Sequence, residues 1–229
     1  MKIAIMGAMP EEVAPLLKAL ENYTKTEYAG NTYYQGSYAN HELVIAYSKI
    51  GKVFSSLTAA TMIEHFGAEV LLFSGVAGGI NPKLKIGDLI VATQLCQHDL
   101  DITAFGHPYG YVPEGAQFVK SDDSLIQTAK IVAAELGKTL GEGTIATGDQ
   151  FVASEERKAW IESTFKADAL EMEGASVAVV CDALNIPFFI LRAISDTADM
   201  DASFNFDAFM ESSAVISAEF IMKMIEKLD

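Results

Sequence analysis

Lys2–Gly7 is an almost uninterrupted apolar run, the pattern of a strand covered on both faces. Pro10 then suits the first turn of a helix, with Glu11 and Glu12 favourable at its positive end and Leu16, Leu17 and Leu20 as the apolar stripe. Thr26–Tyr38 and Glu42–Tyr47 are rich in Tyr, Thr and Val and broken at Gly30-Asn31 and Ala39-Asn40, which predicts antiparallel strands. Gly51–Phe66 reads as a helix, and Val70–Ser74 as a second buried strand ending in a loop, Gly75-Val76-Ala77-Gly78-Gly79. Asp88–Leu95 is a further strand, Ser124–Leu136 a helix, and Thr144–Thr147 a short strand before Gly148-Asp149-Gln150-Phe151. Glu155–Phe165 and Gly174–Leu184 read as helices, and Phe188–Ile194 as a strand ending in Ser195-Asp196. Phe206, Phe209, Met210, Ala214, Ile221, Met224 and Leu228 fall near helical spacing and predict a long C-terminal helix.

Alternating strands and helices make the class α/β: a three-layer α/β/α arrangement around a mixed, largely parallel twisted sheet. No repeat or linker interrupts residues 1–229, so one domain is expected. In such sheets ligands bind beyond the carboxyl ends of the strands. Four polar clusters fall there: Glu11-Glu12, the Gly75–Gly79 segment, Glu171-Met172-Glu173 and Ser195-Asp196.

Composition narrows the function. A net charge of −15 with only two arginines, Arg157 and Arg192, argues against a nucleic-acid partner, which needs clustered basic residues. The longest apolar stretches are less than half the roughly 20 residues a membrane helix needs. Two cysteines, Cys96 and Cys181, form no disulfide framework, and no export signal precedes Pro10-Glu11-Glu12, so a reducing cytoplasm is the simplest compartment.

Each candidate group has a structural reading beside its chemical one. Glu12 can be a helix-dipole partner, Asp196 the cap of a turn, and Glu173 a helix-start residue. The glycine-rich segment lacks GxGxxG and GK[ST] spacing, so it is either a tight turn or a place where backbone meets ligand. His98-Asp99-Leu100-Asp101 has no second His or Cys set at matching spacing, so no metal and no cofactor are expected. Phe151 is either core or an aromatic that stacks on a base.

The ordered motifs Ile5-Met6-Gly7-Ala8-Met9 with Glu11-Glu12, Ser48-Lys49-Ile50-Gly51-Lys52-Val53, Gly75–Gly79, Thr103-Ala104-Phe105-Gly106, Gly148–Phe151, Glu171–Glu173 and Arg192–Asp196 run nearly end to end. Together they resemble the 5′-methylthioadenosine/S-adenosylhomocysteine nucleosidase family, which has the purine nucleoside phosphorylase fold. The resemblance implies hydrolysis of the N-glycosidic bond of these nucleosides and of 5′-deoxyadenosine, releasing adenine. Asp196 would donate a proton to adenine N7 with Ser195 orienting it, and Glu12, helped by Arg192, would activate water. Glu173 would take the ribose hydroxyls, Met172 would pack on the sugar, Phe151 would stack on adenine and the Val152 backbone would read its edge. Glu171, Val76, Ala77 and Gly78 would line the site, and Met9, Ile50 and Phe206 the 5′ end. Ile102, Phe105 and Pro113 would come from the second subunit of a homodimer. The chain departs from many members in Val76 for Ser and Val152 for Ile, both expected to act through backbone. Ala46–Val53, Gln97-His98-Asp99 and Phe105-Gly106-His107-Pro108 resemble the subgroup that also cleaves 6-amino-6-deoxyfutalosine in menaquinone synthesis.

Breaking an N-glycosidic bond develops positive charge on the sugar, which nearby carboxylates stabilise. Asp196 must be protonated near neutral pH to act as the acid, which calls for burial. Two rivals remain. A phosphorylase would want arginine for phosphate, and only Arg192 lies near these motifs. A non-catalytic nucleoside-binding protein would have no need for Glu12, Glu173 and Asp196 together.

Overall fold

Five strands close into a ring and four more extend it as an open sheet in the computed structural model, which describes residues 1–197 and 202–228 and the side chains of all of these except 202–208. The elements are β1 (Lys2–Gly7), α1 (Pro10–Lys18), β2 (Tyr23–Tyr28), β3 (Asn31–Tyr38), β4 (His41–Tyr47), α2 (Lys52–Glu64), β5 (Val70–Gly79) and β6 (Leu89–Gln97). A 3₁₀ turn (Thr103–Phe105) follows, then β7 (Val119–Lys120), α3 (Asp123–Glu135), β8 (Leu140–Thr147), α4 (Glu155–Phe165), β9 (Ala169–Glu171), α5 (Gly174–Ala183), β10 (Phe188–Asp196) and α6 (Ala202–Ile225). The open part runs β2–β3–β4–β1–β5, parallel at β4–β1–β5 and antiparallel outward. The ring runs β5–β10–β6–β8–β9 and back to β5, and the short β7 pairs with β6.

Strand periodicity decides which helices cover which face. In β1, Ile3 and Ile5 point to a core shared with Leu16 of α1, Ile126 of α3 and Phe220 of α6. Ala4 and Met6 point the other way, to Met62 of α2 and Val177 of α5. Both sets are buried, which is why the run reads as continuously apolar; each such Ile contributes roughly 1.5–3 kcal/mol. Among the described residues no helix is long and apolar enough to cross a membrane.

The structure revises the reading of Gly75–Gly79. Glycine disfavours strands, so the segment reads as a loop. In fact β5 continues through it, fully buried, because its neighbours come too close for side chains: a Cβ on Gly75 would lie 2.8 Å from Glu12 Oε1. β8 starts earlier than expected, at Leu140, and the three-residue β9 is too short to carry a periodicity.

Candidate active site

The site begins where β5 changes neighbours. On one side it pairs with β1 over Val70–Phe73 and with β9 at Gly78–Gly79; between them no strand among the described residues covers it. Glu12 fills part of that gap. Its Oε1 accepts the Val76 N–H at 3.0 Å, while Oε2 accepts Ala8 N–H at 2.5 Å and Met9 N–H at 3.1 Å. As the third residue of α1, Glu12 reaches back to the helix start, so its structural and chemical readings coincide. Three N–H groups leave an acceptor position on Oε1. Burial pushes the carboxyl above the ordinary range, against the pull of Arg192 and the three N–H donors.

Arg192 is fully buried on β10, stacked 4.0 Å over the Phe73 ring. Its ion pair is with Glu171, Nη2 to Oε2 at 2.8 Å, and it reaches Glu12 through its field alone. Glu171 also accepts Thr147 Oγ at 2.5 Å, Glu173 N–H at 3.1 Å and Gly174 N–H at 2.6 Å. It therefore caps α5, and that cap sets where Glu173 stands. Glu173 Oε1 accepts the Gly51 N–H at 2.8 Å. Burial, then the adjacent Glu171, pushes the Glu173 carboxyl up to about 8, partly offset by Gly51 and Arg192.

At the end of β10 the register with β5 slips between Ile194 and Asp196, leaving Ser195 as the extra residue. Such bulges re-aim side chains. Here Ser195 Oγ donates to Asp196 Oδ2 at 2.9 Å, and both residues are buried.

These groups surround one cavity of about 300 Å³. Glu12, Glu171, Glu173, Ser195 and Asp196 line its polar side, and Val76, Ala77 and Gly78 are its β5 wall. Met9, Ile50, Phe151, Val152 and Met172 make the apolar side, with Ile50 and Phe151 about half exposed at the rim. Arg192 sits behind this lining. Ile102, Phe105 and Pro113 do not line it, and Phe105 is 80% exposed. Phe206 belongs to the start of α6, where side chains lie outside the described residues. Ala8, Gln150 and Leu170 also line the cavity, and sequence reasoning missed them. Ala8 and Gln150 stand within the ordered motifs without an assigned role, and Leu170 directly precedes Glu171.

A wider cleft of about 600 Å³ holds His98, Asp99, Asp101, Arg157 and Trp160. Burial lowers His98 to about 4, so its ring is neutral at physiological pH, and Nδ1 takes Arg157 Nη2 at 3.1 Å. Convergent carboxylates held above their ordinary range mark the smaller cavity instead as the place for acid–base chemistry.

A fold of this topology with carboxylates gathered at the β5 switch defines a class of nucleoside-cleaving enzymes, and the chain belongs to the Phosphorylase superfamily, whose family model matches residues 2–226. Within it the chain is 61% identical over 228 residues to the aminodeoxyfutalosine nucleosidase of Campylobacter jejuni, covering 100% of both chains. It is 37% identical to a 5′-methylthioadenosine/S-adenosylhomocysteine nucleosidase of Anoxybacillus flavithermus, again with 100% of each chain covered. A solved structure of a mutant Helicobacter pylori nucleosidase with 5′-methylthioadenosine in the active site is 50% identical, with a TM-score of 0.98 and 99% of each chain covered.

Proposed function

We infer that the chain is a nucleosidase that hydrolyses the N-glycosidic bond of 5′-methylthioadenosine, S-adenosylhomocysteine and 6-amino-6-deoxyfutalosine, releasing adenine. The observation that carries this reading is the convergence of Glu12, Glu173 and Asp196 on one cavity, with Glu12 and Glu173 both held above the ordinary carboxylate range.

The roles follow from chemistry and position. Asp196, oriented by Ser195, protonates the adenine N7 so that the base leaves neutral. Glu12 takes a proton from water through its remaining acceptor position, and a raised carboxyl is the better base near neutral pH. Glu173 accepts the ribose hydroxyls beside the developing positive charge, and Phe151 stacks on the base with Met172 against the sugar. Positioned acid and base contribute roughly 10²–10⁴-fold each.

Phosphorolysis is disfavoured by two features. The Arg192 guanidinium is committed to Glu171 behind the lining, and Glu12 would repel an anion where the nucleophile must stand. Adenine release from 5′-methylthioadenosine, measured with and without phosphate, tests this. Equal rates giving free methylthioribose support hydrolysis; turnover only with phosphate, giving a sugar 1-phosphate, overturns it. Cleavage of 6-amino-6-deoxyfutalosine is measured beside it, and no detectable product would remove that substrate.

The site is completed by a second copy of the chain. Val53, Phe54 and Leu57 stand exposed at helical spacing on α2, which begins two residues after the rim residue Ile50. A homodimer that covers them brings the partner's Ile102, Phe105 and Pro113 to the 5′ end of the cavity. A monomer in light scattering would sink this arrangement. The continuous sheet supports one nucleosidase domain over residues 1–229, and two buried free thiols suit a cytoplasmic setting.

A further inference from the structure

Asp99 takes no part in the chemistry above, yet its carboxylate joins two of the segments that border the cavity. α2 is preceded by its N-cap Gly51, which has no side chain to cap it and stands at φ +98°. Two carboxylates from elsewhere serve its first N–H groups. Glu173 Oε1 takes Gly51 N–H, and Asp149 Oδ1 takes Lys52 N–H at 2.8 Å. Asp99 backs the second of these caps. Its Oδ1 accepts Lys52 Nζ at 2.6 Å and its Oδ2 accepts Asp149 N–H at 2.8 Å, while Lys52 Nζ also reaches Gln97 Oε1 at 3.2 Å. The Lys52 and Asp99 side chains are only 18% and 24% exposed, so solvent screens the pair less than it would a surface bridge. The neighbouring His98 packs its imidazole directly on Gly148, where any Cβ would collide with the ring. The Gly148-Asp149 peptide is thus held between an imidazole and a carboxylate, one residue before the cavity-lining Gln150 and Phe151.

We propose that Asp99 is a positioning residue for nucleoside binding: it fixes Lys52 and Asp149 together, so that the α2 start holds Glu173 for the ribose and Phe151 stays aligned for the base. The inference rests on the roles given to Glu173 and Phe151 above. It also accounts for the Gln97-His98-Asp99 and Lys52 motifs, which no chemical step requires. Gly51 must be glycine here on two counts: its positive φ, and the Asp149 Oδ1 that a Cβ would meet at 3.0 Å.

Asp99→Ala removes both acceptors. Because ground state and transition state share the contacts it aligns, KM for 5′-methylthioadenosine is expected to rise about tenfold while kcat moves by less than about threefold. Lys52→Met cuts the same tie from the other end and is expected to raise KM alike. The double variant should be no worse than the worse single, as for residues acting through one link. Should Asp99→Ala fail to fold, Lys52→Met and Asp99→Asn carry the same test, and Asp99→Asn, which keeps an acceptor for Asp149 N–H but turns its amide NH2 toward Lys52 Nζ, should raise KM at least as much as Lys52→Met. A KM within about twofold of wild type in these variants, or a lowered thermal midpoint and kcat at unchanged KM, overturns the proposal. Glu173→Gln and Phe151→Ala measured alongside separate the failures. If they shift KM and the Asp99 variants do not, the positioning role is wrong. If they too leave KM unchanged, the site assignment itself falls and the positioning role with it.

Discussion

Gly75→Ala adds a single methyl group at the point where Glu12 and Arg192 approach β5. The backbone accepts it, since Gly75 is not among the glycines at positive φ. The added carbon would stand 2.8 Å from Glu12 Oε1, 3.2 Å from Glu12 Cδ and 3.1 Å from Arg192 Nη1. Ordinary contacts of this kind lie near 3.5–4.0 Å, so the Glu12 carboxylate must retreat by roughly 0.5–1 Å. It cannot do so freely: Ala8, Met9 and Val76 hold it by three N–H bonds. A misplacement of about 1 Å costs about 10²-fold in rate, and overpacking costs about 1–3 kcal/mol of stability. The expected result is a kcat for adenine release about a hundredfold lower, with KM changed only a few-fold and the denaturant midpoint modestly reduced. Gly141→Ala serves as the control, because its Cβ would crowd Leu84 Cδ2 at 3.3 Å outside the cavity lining. It should lose some stability and keep its kcat. A Gly75→Ala enzyme with kcat within about threefold of wild type, or a Gly141→Ala enzyme that loses as much, would refute the reasoning.

Asp196→Asn is expected to abolish turnover while substrate analogues still bind, as seen by calorimetry; an active variant would remove Asp196 from the acid role. Glu173 loses its proton near 4.5 when unfolded but near 8 when folded, so the fold keeps a proton that the unfolded chain releases, and stability falls as pH rises through that window. Glu173→Gln should therefore flatten the loss of stability between about pH 5 and pH 9 in denaturant titrations, and an unchanged slope would count against a protonated Glu173. Arg192→Met leaves Glu171 buried without its ion pair, for an expected cost of about 3–5 kcal/mol by chemical unfolding; a change under about 1 kcal/mol would show that the pair contributes little to the fold.

Much of the sheet was legible because burial on both faces leaves continuous apolar runs, as in β1 and β10, and α1 because it carries its start signal in Pro10. The carboxylates of the cavity were legible too: Glu12 comes just after one readable strand, Asp196 ends another, and Glu171 and Glu173 fall in one of the ordered motifs. What the sequence could not carry was which partner each one takes. Glu171 and Glu173 are two residues apart and alike in type, yet one is spent on Arg192 and the start of α5 while the other takes the α2 start. That choice depends on β9, too short to leave a pattern, and on Thr147, which is separated from Glu171 by the whole of α4. The glycines of β5 misled for a related reason. Their intrinsic preference is for turns, and the side chains that require Gly75 and Gly79 to be small come from elements distant in sequence, Glu12 of α1 and Ile194 of β10.

The closed ring has a consequence for motion. A strand at a sheet edge can peel away and expose its amides without the rest of the molecule opening. β5 and β10, which carry Val76 to Gly78 and Ser195 to Asp196, pair with each other along nearly their whole length, and the ring returns on itself through β9, so neither is a free sheet edge. Their amides should exchange with solvent only when the whole ring opens, at the slowest rate in the molecule. Such a floor meets each transition state with its dipoles already in place and nothing left to reorganise. The capacity to admit different 5′ substituents then belongs to the rim, where Ile50 and Phe151 meet solvent, and it can drift without disturbing the groups that break the bond.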